Sequence, residues 1–198
     1  IALVSDAGLP GICDPGESLV KESKFNGIDI ICVPGASALL TALVCSGYET
    51  SKFIFEGFLP KKKIDREKIF LEIKYNKKTT VIYESPHRLL KTLNELKEHC
   101  GGEREIQVFR EITKKHEENI GENIEEVINF FKRKDILGEF TLVIKGSQIT
   151  KPKDFNEDYL KKEINALLNA GLNLSSASKY LAKRENISKR TIYNLYNK

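Results

Sequence analysis

The sequence predicts an α/β protein with largely parallel strand pairing, followed by a small all-helical unit. Three observations carry this. Apolar, β-branched runs alternate with segments of helical period up to about residue 145. Two strand ends run directly into loops of small, turn-forming residues, as open α/β sheets do where they bind ligands. After a second linker containing Pro152 the strand pattern stops and only helical periodicity continues.

Ile1-Ala2-Leu3-Val4 opens a strand over 1–5 that leads into Ser5-Asp6-Ala7-Gly8-Leu9-Pro10-Gly11-Ile12-Cys13-Asp14-Pro15-Gly16. Asp14, Pro15 and Glu17 read as N-cap, first helical residue and far corner of a capping box for a helix over 15–25. A strand over 28–33 ends in Pro34-Gly35-Ala36-Ser37-Ala38, a second small-residue junction, which opens a helix over 36–46. Residues 47–52 form a connector. Strands follow at 53–58, 79–84, 105–110 and 140–145, with helices at 64–75, 87–99 and 122–133. Ser85 and Pro86 suit the N-cap and first position of the helix that follows the 79–84 strand. Residues 109–118 read as a dense polar loop, and His99 sits where a cation complements a helix C-terminus. Beyond the linker at 145–155, helices are expected at 157–169, 174–184 and 188–197. Glu185-Asn186-Ile187 forms a tight turn with one apolar plug, and Ser188 caps the last helix. Ser188, Ile192, Leu195 and Tyr196 share one face of that helix. Arg190, Tyr193, Asn194 and Asn197 share the other, with Lys189 on the flank. This arrangement resembles a helix-turn-helix.

Composition narrows the class. Of 198 residues, 40% are hydrophobic and 30% charged, and no apolar run is long enough to cross a membrane. The four cysteines have no paired spacing and read as buried free thiols of a cytosolic protein, which argues against a zinc site. Residues 151–198 hold ten Lys or Arg against five Asp or Glu, leaving the first 150 at −1. The basic excess of the tail points to an anionic macromolecule. The chain has no methionine and begins within a strand pattern, so further sequence is expected upstream of Ile1.

Tyr83-Glu84-Ser85-Pro86-His87-Arg88 is the sharpest local anomaly. It sets two cationic side chains in a first helical turn, at a cost of about 0.3–1 kcal/mol for a cation. Either the pair grips a phosphate or Arg88 pairs with Glu84. Lys61-Lys62-Lys63 is a second candidate phosphate contact. Gly-x-Gly-x-x-Gly, the Walker loop, His-Glu-x-x-His and Gly-x-Ser-x-Gly are absent, which removes support for dinucleotide binding, ATP hydrolysis, zinc proteolysis and serine hydrolase chemistry.

Read in order, several segments together resemble the RsmI family of small-subunit ribosomal RNA methyltransferases. They are Ser5–Pro10 with Asp14-Pro15-Gly16, Val33–Ala38, Phe55–Pro60, Tyr83–Arg88, Arg110-Glu111 with Thr113-Lys114, and Gly138-Glu139-Phe140. The resemblance covers the whole chain and implies a tetrapyrrole-methylase-like fold. Residues 1–49 would then be the remainder of an incomplete N-terminal α/β domain, 50–148 a second α/β domain, and 155–198 a helix-turn-helix-like domain. It also implies a homodimeric, S-adenosylmethionine-dependent enzyme that methylates the 2′-hydroxyl of a cytidine in the decoding region of 16S rRNA. Cofactor contacts are carried over to Asp6, Ala7, Gly8, Gly11, Ile12, Ser37, Ala38, Tyr83, Glu84 and Ile112. A 2′-hydroxyl is a weak nucleophile, and Glu84 and His87 are the candidate bases. Arg88, Lys61, Lys62, Lys63, Lys189, Arg190, Tyr193 and Asn194 are the candidate RNA contacts, and no metal is expected. Two other readings share parts of the pattern: a precorrin or uroporphyrinogen methyltransferase, and a ligand-sensing nucleic-acid-binding regulator.

Overall fold

The computed structural model describes residues 1–149, 157–185 and 187–196. The chain divides into two compact units, 1–149 and 150–198. In the first, the order is α1 (Glu17–Phe25), α2 (Ala38–Cys45), β1 (Phe53–Phe58), α3 (Lys63–Tyr75), β2 (Thr79–Glu84), α4 (Pro86–Cys100), β3 (Glu105–Arg110), β4 (Glu118–Asn123), α5 (Ile124–Phe131) and β5 (Phe140–Ile144). The strands form one sheet in the order β1-β2-β5-β3-β4.

The sheet is mixed, which corrects the expectation of largely parallel pairing. Only β1 and β2 run parallel, whereas β5 enters antiparallel between β2 and β3, and β3 pairs antiparallel with β4. The polar segment after β3 turns back within seven residues, too few for a parallel crossover, so its chain returns as an antiparallel edge strand. Sequence reading missed β4 because Glu118-Asn119-Ile120-Gly121-Glu122-Asn123 has little apolar content. Its ladder to β3 holds it.

Alternation along the central strands builds two cores. Ile82, Leu142, Ile144, Ile106 and Val108 face α3, α4 and α5, where Phe70, Leu89, Leu93 and Ile128 close the layer. Val81, Val143 and Phe109 point the other way, onto Leu39, Ala42 and Leu43 of α2. Helices thus cover both faces of the sheet. The expected strands at 1–5 and 28–33 are not formed. No described segment pairs with either, and a strand without a neighbour leaves its N–H and C=O groups unpaired. Ile1, Val4, Ile28, Ile31 and Val33 are accordingly exposed.

Helix starts also differ from expectation. α1 begins after Gly16, whose φ of 146° suits glycine, and Asp14 makes no capping bond. Ser85 likewise gives no side-chain cap to α4. All four cysteines are free, but Cys13, Cys32 and Cys45 are exposed rather than buried. Among the described residues no helix is long and apolar enough to cross a membrane.

In the second unit, α6 (Glu157–Asn169), α7 (Leu174–Glu185) and α8 (Lys189–Tyr196) close around Leu160, Ile164, Leu181, Ile187 and Ile192. The Ser188 hydroxyl accepts a hydrogen bond from the Thr191 N–H at 3.0 Å and caps α8. Asn173 caps α7 in the same way through the Ser176 N–H at 2.8 Å. Parts of the expected 145–155 linker, Asn186 and Asn197 lie outside the described residues.

Leu142 is fully buried on the central strand β5. Leu142→Ala is expected to lower unfolding free energy by about 2–5 kcal/mol, read from urea titration. A change below about 1 kcal/mol would contradict its central packing.

Candidate active site

Strand register brings several chain ends to one edge of the sheet. Phe58 lies opposite Tyr83, Tyr83 opposite Thr141, Glu84 opposite Phe140, and Arg110 opposite Phe140. Because β5 is antiparallel, its start meets the carboxyl ends of β1, β2 and β3. A cavity of about 360 Å³ opens there, within the range typical of small-ligand sites.

Three walls line it. The loop after residue 5 contributes Ala7, Gly8, Leu9, Ile12, Cys13 and Asp14. The start of α2 contributes Ser37 and Ala38. The sheet edge contributes Phe58, the Tyr83–Pro86 junction, Ile112, and Gly138 through Thr141. Small and apolar surfaces suit a flat ring system. Asp14, Ser37 and Glu139 are among the polar residues of the loop and sheet-edge lining.

Two features hold the first loop in place. A bulge at Glu56 shifts the β1–β2 register between Phe55 and Gly57. Gly57 takes φ 60°, and a Cβ there would lie 2.8 Å from Cys13 Sγ. The loop therefore approaches the strand through the space that glycine leaves. Tyr83 ties in the second wall. Its hydroxyl accepts a hydrogen bond from the Leu39 N–H at 3.0 Å, capping α2 where Ser37 provides no side-chain cap. The ring meets Phe55 edge-on at 5.0 Å and Phe58 at 5.7 Å. Burial pushes the Tyr83 phenol above its ordinary range, and the Leu39 N–H only partly offsets this.

Glu84 is buried, and both carboxylate oxygens have partners. One accepts from the Ser85 N–H at 2.8 Å and the other from the Thr92 hydroxyl at 2.6 Å. Arg88 Nε lies 3.5 Å from Glu84. Arg88 also donates to the Leu59 carbonyl at 2.6 Å and the Pro60 carbonyl at 3.2 Å. This accounts for the cation in the first turn of α4: it bridges two strand-to-helix junctions, and the Glu84–Arg88 alternative describes its pairing.

The structure thus brings Ala7, Gly8, Ile12, Ser37, Ala38, Tyr83, Glu84 and Ile112 to one cavity, whereas Asp6 and Gly11 lie outside its lining. His87 is exposed and is also outside it. Lys61, Lys62 and Lys63 are exposed in the connection that follows Phe58, and Lys189, Arg190, Tyr193 and Asn194 are exposed on α8. Sequence reading missed Phe58, Cys13, Asp14 and the Gly138–Thr141 wall as parts of the site. Gly138-Glu139-Phe140 was visible as a motif, but only the antiparallel insertion of β5 turns it toward the cavity. Among the described residues no group of three or more His, Cys, Asp or Glu side chains is arranged to hold a metal ion.

Comparison with known proteins agrees with this architecture. The family model for Tetrapyrrole (Corrin/Porphyrin) Methylases matches residues 1–128. The crystal structure of the methyltransferase CobJ superposes with a TM-score of 0.54 at 18% identity, covering 73% of this chain and 64% of that one. The fold is therefore that of the tetrapyrrole methylase class. Among curated relatives, proteins named ribosomal RNA small subunit methyltransferase I are similar over nearly the whole chain. The one from Synechocystis sp. is 42% identical over 98% of this chain and 70% of its own length. That from Bacillus subtilis is 41% identical over 99% and 68%. The chain belongs to the ribosomal RNA small subunit methyltransferase I family, and it spans about two thirds of the length of these relatives.

Tyr83→Phe is expected to cost about 0.5–2 kcal/mol in urea unfolding and to speed amide exchange at Leu39. An unchanged Leu39 rate would contradict the cap. A raised folded-state pKa means that the phenol's contribution is present below the unfolded value near 10 and is lost as pH rises through the higher folded value. Wild-type stability is therefore expected to fall at alkaline pH more steeply than that of Tyr83→Phe.

Proposed function

We propose that this protein transfers a methyl group from S-adenosylmethionine to the ribose 2′-hydroxyl of a cytidine in the decoding region of 16S rRNA. One observation carries the reading: in a chain of this family, two small-residue loops and four strand ends converge on one ligand-sized cavity. Its residues fit the cofactor. Ala7, Gly8 and Ala38 leave room for the ligand beside the backbone. Ile12, Phe58 and Ile112 offer apolar faces to a purine, and Asp14 and Ser37 offer hydrogen-bonding partners to hydroxyl or ammonium groups. Asp6 and Gly11 shape the same loop in this proposal.

S-adenosylmethionine supplies an electrophilic methyl group on a sulfonium. The chain's residues orient the acceptor hydroxyl on the displacement axis, exclude water and take its proton. The base is proposed among Glu84 and His87. Glu84 lies on the cavity wall with its carboxylate already hydrogen-bonded, whereas His87 stands in solvent one helical position past Pro86. Lys61–Lys63, exposed in the segment after Phe58, are proposed as phosphate contacts, whereas the Arg88 guanidinium is engaged by Glu84 and the Leu59 and Pro60 carbonyls and is not proposed as one. On α8, Lys189, Arg190, Tyr193 and Asn194 provide a basic, aromatic and amide-bearing face suited to RNA. Residues 1–49, 50–148 and 155–198 are proposed as three domains, with the cofactor between the first two. A homodimer working in the cytoplasm is the assembly that this reading implies.

Calorimetric titration with S-adenosylhomocysteine and transfer of labelled methyl to small-subunit particles test the reading together. Binding and label on 16S rRNA are expected. Label on porphyrinoids, or binding with no transfer to either substrate, would contradict it. If Glu84 is the base, Glu84→Gln lowers turnover by about a hundredfold or more, beyond whatever S-adenosylhomocysteine affinity it loses in a parallel titration. If turnover falls only with His87→Ala, the base is His87. Full turnover in both variants would contradict the assignment.

A further inference from the structure

The cavity wall between β3 and β5 is held in an uncommon way. Leaving β3, Glu111 takes φ 50° and Thr113 takes φ 66°, both in the left-handed region. That region is sparsely populated by side-chain-bearing residues and is particularly unfavourable for β-branched threonine. Between them stands Ile112, which lines the cavity. Strain of this kind persists only where surrounding contacts over-determine the backbone, and it clusters at ligand sites.

Those contacts converge on one carboxylate. Glu111 Oε1 accepts from the Glu139 N–H at 2.9 Å and from Lys114 Nζ at 3.1 Å. The Glu111 N–H donates to the Glu139 carbonyl at 2.9 Å. Lys114 Nζ also reaches the Glu139 carboxylate at 3.1 Å, so one ammonium bridges both segments. Gly138 makes room for this arrangement. With φ 95°, it would place an added Cβ 2.7 Å from Glu111 Cγ. A second bond fixes the loop beyond Ile112, with the Thr113 N–H donating to Glu117 at 2.6 Å. The Glu139 N–H and the Lys114 ammonium hold the Glu111 carboxyl below its usual range, and the two carboxylates hold Lys114 above its own.

We infer that Glu111 and Lys114 are positioning residues for the cofactor cavity: their clamp on Gly138-Glu139 sets Ile112 and the Gly138–Phe140 backbone against the ligand. Neither charged head is needed to touch the ligand, and neither packs in a hydrophobic core. The clamp instead pre-pays the ordering of two loop segments that would otherwise be ordered on binding. The inference rests on the proposed cofactor reading of this cavity.

The test is calorimetric titration of the intact protein with S-adenosylhomocysteine, alongside thermal unfolding, for wild type, Glu111→Ala, Lys114→Ala and Lys114→Arg. Lys114 is on the surface, so its variants are expected to fold. Roughly tenfold weaker binding is expected for Glu111→Ala and Lys114→Ala, with Lys114→Arg near wild type and the midpoint of unfolding of the lysine variants unchanged. In turnover assays, the loss is expected in the KM for S-adenosylmethionine with kcat retained. Wild-type binding with Lys114→Ala within twofold of it would overturn the clamp and leave the cavity reading standing. No binding by wild type would overturn the cavity reading, and the clamp with it.

Discussion

The buried carboxylate of Glu84 is the constraint on which the rest of the site depends. It ends β2, the strand that has β1 on one side and β5 on the other, and it has no exposure to water. A buried ionised carboxylate is tolerated only when hydrogen bonds and opposite charge replace its hydration. Ser85, Thr92 and Arg88 supply these. The chain of partners then continues outward. Thr92 accepts from Arg66, a buried guanidinium on α3 that pairs with Glu95, while Arg88 and Arg66 both donate to the Pro60 carbonyl. Two arginines and two glutamates thus lock the β1–α3 and β2–α4 junctions together. Removing one member of such a network strands a buried charge, at a cost of about 3–5 kcal/mol. The same network fixes where Tyr83, Ser85 and Pro86 meet the cavity.

From that anchor, the cavity follows from direction. β2 delivers its carboxyl end to the site, and antiparallel β5 delivers its beginning to the same edge. Residues far apart in sequence, Tyr83 and Thr141 among them, therefore become neighbours. Loops from the first forty residues reach this edge through the space at Gly57 and the Tyr83–Leu39 bond. The site is thus built from rigid strand ends on one side and small-residue loops on the other. This division suits a ligand that must enter, be oriented and leave.

Much of this was legible in the sequence, for identifiable reasons. β1, β2 and β3 match their expected boundaries because β-branched and aromatic residues, grouped in β2 and interspersed with polar ones in β1 and β3, mark strands without help from neighbours. Tail helices were equally readable from their period. What sequence could not supply was pairing. Ile1–Ser5 and Ile28–Val33 have strand composition, yet a strand also needs a partner, and none of the described segments provides one. Conversely, Glu118–Asn123 has little strand character and becomes one through the β3 ladder. Glu84 and Arg88 were visible four residues apart. Thr92 and the Leu59 and Pro60 carbonyls were not, because helix packing brings them there. Eight of the ten positions expected to contact the cofactor line one cavity. The wall at 138–141 escaped notice because its placement depends on the antiparallel sense of β5.

Hydrogen exchange read by mass spectrometry, with and without S-adenosylhomocysteine, tests the central claim most directly: that this sheet-edge cavity, organised by the Glu84 junction, is the cofactor site. The account predicts slowed exchange confined to the loop at 7–14, the start of α2, the Tyr83–Pro86 junction, Ile112 and residues 138–141. Protection concentrated elsewhere, on α6–α8 or on α3 and the later turns of α4, would contradict it.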